Sequence, residues 1–117
     1  MRTIEFYRSS SGDCPVEDFL DSLSDRDARK VVWVLRLIER LEIIPQQYFK
    51  KLLSTDDLWE IRAQMAGNSY RLLGFFESSQ LFILTNGFSK KKQKTPLAEI
   101  ELARKRRAEH FERRTTT

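Results

Sequence analysis

The sequence predicts an α+β domain: an N-terminal strand, two antiparallel helices, a three-stranded antiparallel meander and a C-terminal helix. Three observations carry this expectation. Two early stretches repeat apolar residues at helical spacing. Three strand-like runs follow, joined by links too short for anything but hairpins. A last charged stretch opens at a proline, as helices do.

The first element is Arg2 to Arg8, where Ile4 and Phe6 alternate with Thr3, Glu5 and Tyr7 as in a half-buried strand. The cluster from Ser9 to Asp13 is a turn, and Asp13 is placed to cap a helix that Pro15 enters. Val16, Phe19, Leu20 and Leu23 then form one buried stripe. Ser24 is a second N-cap, with Asp27 in the capping-box position. Ala28, Val31, Val32, Leu35 and Ile38 trace a long amphipathic helix, which Pro45 ends shortly afterwards. Trp33 lies off the main stripe beside buried positions and reads as core.

Residues 46–57 are less regular. Phe49 and Leu52 look buried there, and a polar turn of Ser54, Thr55, Asp56 and Asp57 follows. The three strand-like runs are Leu58 to Gln64, Ser69 to Glu77 and Leu81 to Phe88. Arg71 to Phe76 is apolar on both faces, which suits a central strand that is covered on both sides or lines a partner groove. After a basic loop, Thr95 caps the last helix and Pro96 takes its first position. Leu97, Ile100, Ala108 and Phe111 give that helix a thin apolar stripe.

Composition narrows the class. A chain of 117 residues fits one domain, assigned to residues 1–114, with 115–117 as a tail. Hydrophobic residues make up 40% and charged residues 32%, which argues against wholesale disorder. The single cysteine, Cys14, excludes an intrachain disulfide, and with one histidine it excludes a cysteine-based zinc site. The N-terminus lacks the apolar run of a signal peptide, and no stretch is long enough to span a bilayer. A soluble, cytoplasmic protein is expected.

The net charge of +4 is uneven. Residues 1–60 carry −3, residues 61–87 carry +1 and residues 88–117 carry +6. A basic block at one end of a small domain is the footprint of phosphate binding, or else a solvated helix face with a loose tail.

From Leu58 onward the residues carry a signature. It comprises Leu58-Trp59-Glu60-Ile61-Arg62, then Tyr70-Arg71 before an apolar strand, Gly87-Phe88-Ser89-Lys90-Lys91, Lys94-Thr95-Pro96, and Glu99-Ile100 with Ala103 after it. This resembles the RelE/HigB superfamily of type II toxins and, more narrowly, its phage-derived HigB-like branch. The likeness covers nearly the whole chain. It is most specific in the second half, and the first half matches in pattern.

The resemblance implies a RelE-like fold: a small curved sheet with two helices on one face and a basic concave face opposite. It implies a toxin neutralised by a cognate helix-turn-helix antitoxin. RelE/HigB toxins cleave mRNA in the ribosomal A site, whereas the related ParE branch inhibits DNA gyrase by binding. A third alternative is a homologue that only binds its antitoxin.

Metal-free RNA cleavage uses the 2′-OH as nucleophile. It needs a base, cations for the scissile phosphate and an acid for the leaving 5′-oxygen. Arg62 and Arg71 lie on adjacent strands, and a guanidinium grips a phosphate with two hydrogen bonds. With the resemblance they are assigned to the phosphate. The competing reading pairs Arg62 with Glu60, its same-face neighbour, and sets Arg71 beside an acid. Lys90, Lys91, Lys92 and Lys94 sit where a strand ends and a helix begins, a place that attracts anions. Like-charge repulsion lowers lysine pKa values, so one of them serves as base or acid, with Lys90 and Lys91 the candidates. Lys92 and Lys94 are assigned to RNA binding. Phe88 stacks on a base or belongs to the core. Lys50 and Lys51, with Tyr48, are placed along the same cleft. His110 is expected on the surface near a frayed end, so the chain lacks the catalytic histidine of some superfamily members. No metal or organic cofactor is suggested.

Overall fold

The computed structural model describes residues 1–91 and 94–115. It is a mixed α+β fold with three helices and one five-stranded sheet. The strands are β1 (Thr3–Phe6), β2 (Phe49–Lys51), β3 (Trp59–Met65), β4 (Asn68–Ser78) and β5 (Leu81–Ser89). The helices are α1 (Pro15–Asp21), α2 (Asp25–Arg40) and α3 (Leu97–Thr115).

The expected meander is present as β3, β4 and β5, paired antiparallel in that order. It is not the whole sheet. β1 joins β5 in parallel, and β2 joins the far side of β3, so the order is β1-β5-β4-β3-β2 and the sheet is mixed. β4 is the centre and is covered on both faces. On one face Ile61, Ala63, Tyr70, Leu72, Phe82 and Leu84 meet Val16, Val31, Val34, Leu35 and Ile38 of α1 and α2. On the other, Leu73, Phe75 and Ile83 meet Ala103, with Ile100 packed alongside.

Caps differ in part from expectation. Ser24 caps α2 by accepting the Asp27 N–H, 3.2 Å. The Asp27 carboxylate does not reach back to Ser24; the Tyr70 hydroxyl and the Asn68 amide donate to it across 43 and 41 residues of chain, respectively. Cys14, not Asp13, stands at the N-cap of α1 and makes no side-chain cap bond, because Asp13 is held in the turn by Ser9 and Ser11. α2 ends at Arg40, before Pro45. α3 begins at Leu97 and runs through Thr115, so the helix continues into the segment expected as a tail. Its buried line runs through Ile100 and Ala103, while Leu97 and Ala108 are exposed. α3 lies over β4 and β5, and its second half rests on Phe75 through His110 and Phe111.

Thr85 controls which way β5 presents its second half. Leu84 pairs with Gly74 and Asn86 with Leu73, so Thr85 is an extra residue in the ladder. A bulge of this kind shifts side-chain parity. Phe82 and Leu84 face α2, but beyond the bulge Phe88 packs with the α3-side cluster and Gly87 turns to Phe19 of α1. A Cβ on Gly87 would lie 2.5 Å from the Phe19 ring. Asn86 fixes the bulge to α3 by donating to the Glu99 carboxylate at 3.0 Å, and Arg106 donates to the Thr85 carbonyl at 2.9 Å.

Candidate active site

α3 covers one end of its face of the sheet and leaves the other end to charged residues. There β3, β4 and β5 align Arg62, Arg71 and Phe88 in one cross-strand row. Residues directly opposite in a ladder share a face, so the three side chains stand together. The next row holds Lys50, Glu60, Leu73 and Asn86.

Glu60 is fully buried and organises the first row. Its Oε1 accepts from Arg62 Nε at 3.0 Å and lies 3.5 Å from Arg71 Nε. Its Oε2 accepts from the Thr95 hydroxyl, just before α3. One carboxylate therefore ties two strands to the start of a helix. A buried carboxylate needs such company, since removing an ion from water is costly. The acidic partner considered for both arginines is real, and it is shared.

Arg71 is the more buried guanidinium. Its Nη1 donates to Ser69 Oγ at 2.9 Å and to the Tyr70 carbonyl at 3.0 Å. Its Nε is buried and has the ion-pair contact but no hydrogen bond. Burial lowers its pKa, Glu60 opposes this, and Arg62 adds to the lowering. An arginine so placed still carries its charge. Arg62 is half-buried and held through Nε. Its outer nitrogens have no hydrogen-bond partner among the described residues, which leaves that edge of the fork for a ligand.

Lys90 follows β5 and is anchored by its N–H to the Ser69 carbonyl, 2.8 Å. It is half-buried, and burial is the main reason its pKa is lowered. Glu60 opposes the shift, while Arg71, Arg62 and Lys50 add to it. A lowering expected within the lysine run is thus found at Lys90, but its cause is burial first and then Arg71, Arg62 and Lys50, rather than the neighbouring described lysines of the run. Lys91 and Lys94 are exposed. Lys92 lies outside the described residues. Lys50 stands opposite Glu60. Lys51 points away from the row and pairs with Asp57 at 2.7 Å.

A cleft of about 480 Å³ opens beside the arginines, lined by Lys30, Gln47, Tyr48, Arg62, Gln64 and Arg71. Tyr48 therefore does line the arginine cleft. Trp33 is not core: it is 48% exposed, with its ring 5.9 Å from that of Tyr48 and Lys30 Nζ 4.4 Å from its centroid. Position i+2 from a buried valine sits at the margin of a helical stripe, and here the margin is outside. His110 is remote from the row. It is half-buried against Phe75 and Phe111, 3.3 Å from Glu77, and burial lowers its pKa. Its helix runs on past it, so it is neither at a frayed end nor freely exposed.

Glu60 is part of the signature read from the sequence, but its only role there is as a rival partner for Arg62. Lys30, Gln47 and Gln64 gave no signal, because only the tertiary fold sets α2 beside β3.

No helix among the described residues is long and apolar enough to cross a membrane. A family model described as phage-derived protein Gp49-like matches residues 18–108, from within α1 to the middle of α3. The match includes Glu60, Arg62, Arg71, Phe88 and Lys90. No curated protein matches the chain.

Proposed function

The chain belongs to the Gp49-like family of phage-derived proteins, a RelE/HigB-type toxin family associated with an antitoxin partner, and from that premise we propose that it is a HigB-like toxin that cuts mRNA on the ribosome. The observation that carries the reading is the row of Arg62, Arg71 and Phe88 beside Lys90, oriented by one buried carboxylate. In this reading residues 1–114 form the toxin domain and the protein works in the cytoplasm.

The proposed chemistry needs no metal. The mRNA 2′-oxygen attacks the adjacent phosphorus, and the bond from phosphorus to the 5′-oxygen breaks. A 2′,3′-cyclic phosphate and a 5′-hydroxyl result. Arg62 and Arg71 stabilise the extra charge on the phosphate oxygens, and their fixed placement avoids reorganisation at that moment. Lys90, with its lowered pKa, is more often a neutral amine near pH 7 than a free lysine is, so it takes the 2′-OH proton. The ammonium so formed is an acid able to protonate the 5′-oxygen. Phe88 offers a ring edge for a base, and Lys50, Lys91, Lys92 and Lys94 supply backbone attraction. Lys51 is tied to Asp57 and contributes only to the general field.

The test is inducible expression of wild type and Arg71→Ala in bacteria while mRNA 5′ ends are mapped. Wild type should arrest growth and create cuts within translated codons. Arg71→Ala should lower cutting by about 10²-fold, the usual cost of one transition-state donor. Arrest with intact mRNA and altered DNA supercoiling would replace this reading with gyrase inhibition. Absence of arrest would leave a chain that only binds its antitoxin.

A further inference from the structure

We propose a second nucleotide subsite at the β2–β3 edge of the sheet, where Trp33 and Tyr48 receive a base of single-stranded RNA next to the cleaved bond. It rests on the endonuclease reading and says where the strand goes after the arginines.

The arginines that would hold the phosphate are themselves one wall of the cleft. The other wall is Lys30 of α2 and Tyr48 of the segment before β2. A strand whose phosphate rests on Arg62 and Arg71 has this cleft as its adjoining space. The lining carries three cations and no carboxylate, so it suits a polyanion. Gln47 and Gln64 add two side-chain amides, each with donors and an acceptor for a base edge.

Beside the cleft stands a large aromatic that the fold leaves half exposed. Trp33 meets Tyr48 edge to face, with interplanar angle 76°, and Lys30 lies over its ring. A single exposed tryptophan needs no explanation by itself. One placed against two residues of a cationic cleft is the arrangement that binds single strands, by stacking the base and neutralising the phosphate. Arg29 and Arg36 flank Trp33 on α2 and, with Asp25 the one carboxylate in the same hollow, keep that side net positive. A duplex cannot use the subsite, because its bases are already stacked.

The test uses the purified full chain and a labelled single-stranded oligoribonucleotide of mixed sequence, followed by anisotropy and tryptophan fluorescence. Binding should quench fluorescence. Trp33→Ala should weaken binding about ten-fold, as loss of one stacked base does. Trp33→Phe should retain most of the affinity, and a duplex of the same sequence should compete poorly. If Trp33→Ala binds like wild type while Arg62→Ala binds weakly, the subsite is wrong and the endonuclease reading stands. If no chain binds the oligonucleotide, yet cuts in cells still depend on Arg71, the subsite is again wrong by itself. If wild type neither binds RNA nor cuts mRNA in cells, both fall together. If Trp33→Ala loses only neutralisation by the antitoxin, the face belongs to a protein partner and the proposal is overturned.

Discussion

Asp27 and Glu60 are both buried carboxylates, and they keep different company. Asp27 receives the neutral Tyr70 hydroxyl and Asn68 amide, with Arg26 reaching it from solvent at 3.1 Å. Glu60 receives two arginines from the sheet and the hydroxyl of Thr95. Asp27 lies where α2 meets the β3–β4 hairpin, and its partners join those elements. Glu60 lies under the arginine row, and two of its partners, Arg62 and Arg71, are groups proposed to act on RNA. An acid bound mainly by neutral donors, with one cation at its solvent side, ties a junction together. An acid bound by cations subtracts charge from a site and fixes where the remainder points.

The largest effect should come from breaking Glu60's arrangement. Glu60→Ala leaves two arginines close together with no counter-charge, and loss of one partner of a buried ion pair costs about 3–5 kcal/mol. Urea unfolding should show this, with a lowered midpoint. Glu60→Gln keeps the shape and an acceptor for Thr95, so it should be less destabilised. Its cleavage should still fall, because the arginines are no longer held by charge. A Glu60→Gln chain that cuts like wild type would show that the carboxylate serves stability alone.

Tyr70→Phe probes the other acid. It removes a hydrogen bond to a charged group, worth about 1.5–3 kcal/mol. The ring stays in the core against Phe19, at 6.1 Å between centroids. Stability should drop by unfolding measurements, and cutting under conditions where the chain remains folded should not change. Equal losses of cutting in Tyr70→Phe and Glu60→Gln would erase the distinction between the two acids.

The two acids also show what a sequence reader could see. Ser24 and Asp27 three residues apart announced a helix start, and the stripe from Ala28 to Ile38 gave its length. The double-sided apolar run at Arg71 to Phe76 announced the central strand. Arg62 and Arg71 were legible as neighbours because a hairpin joins their strands. β2 was not, because three residues with two lysines carry no period. The parallel β1–β5 pair was not either, since it joins segments more than 70 residues apart with no local signal. The bulge at Thr85 decided the face of Phe88, and alternation read from Phe82 and Leu84 points the wrong way beyond it. Trp33 looked buried because a helical wheel locates a stripe but not its margin. Glu60 stood in plain view beside Arg62, but its grip on Arg71 and Thr95 exists only across strands.

The smallest expected effect is also the most selective, because it follows Asp27 through its titration. Hydrogen bonds from Tyr70 and Asn68 hold the Asp27 pKa below its ordinary value of 3.8, with Arg26 helping and burial opposing. A carboxyl with a depressed folded pKa contributes stability that is fully present above its unfolded pKa. That contribution is lost as pH falls through the folded value. Wild type should therefore hold an advantage over Asp27→Asn at pH 7 that narrows once pH drops below about 4, where the unfolded chain titrates first. Other acids titrate in both proteins, including Asp57, whose pKa is lowered by Lys51, so the difference between the two curves isolates Asp27. Thermal unfolding from pH 7 down to pH 3 would measure it. A constant difference across that range would mean that Asp27 is no more acidic folded than unfolded. Its bonds to Tyr70 and Asn68 would then hold the hairpin to α2 by geometry, with no share for the charge.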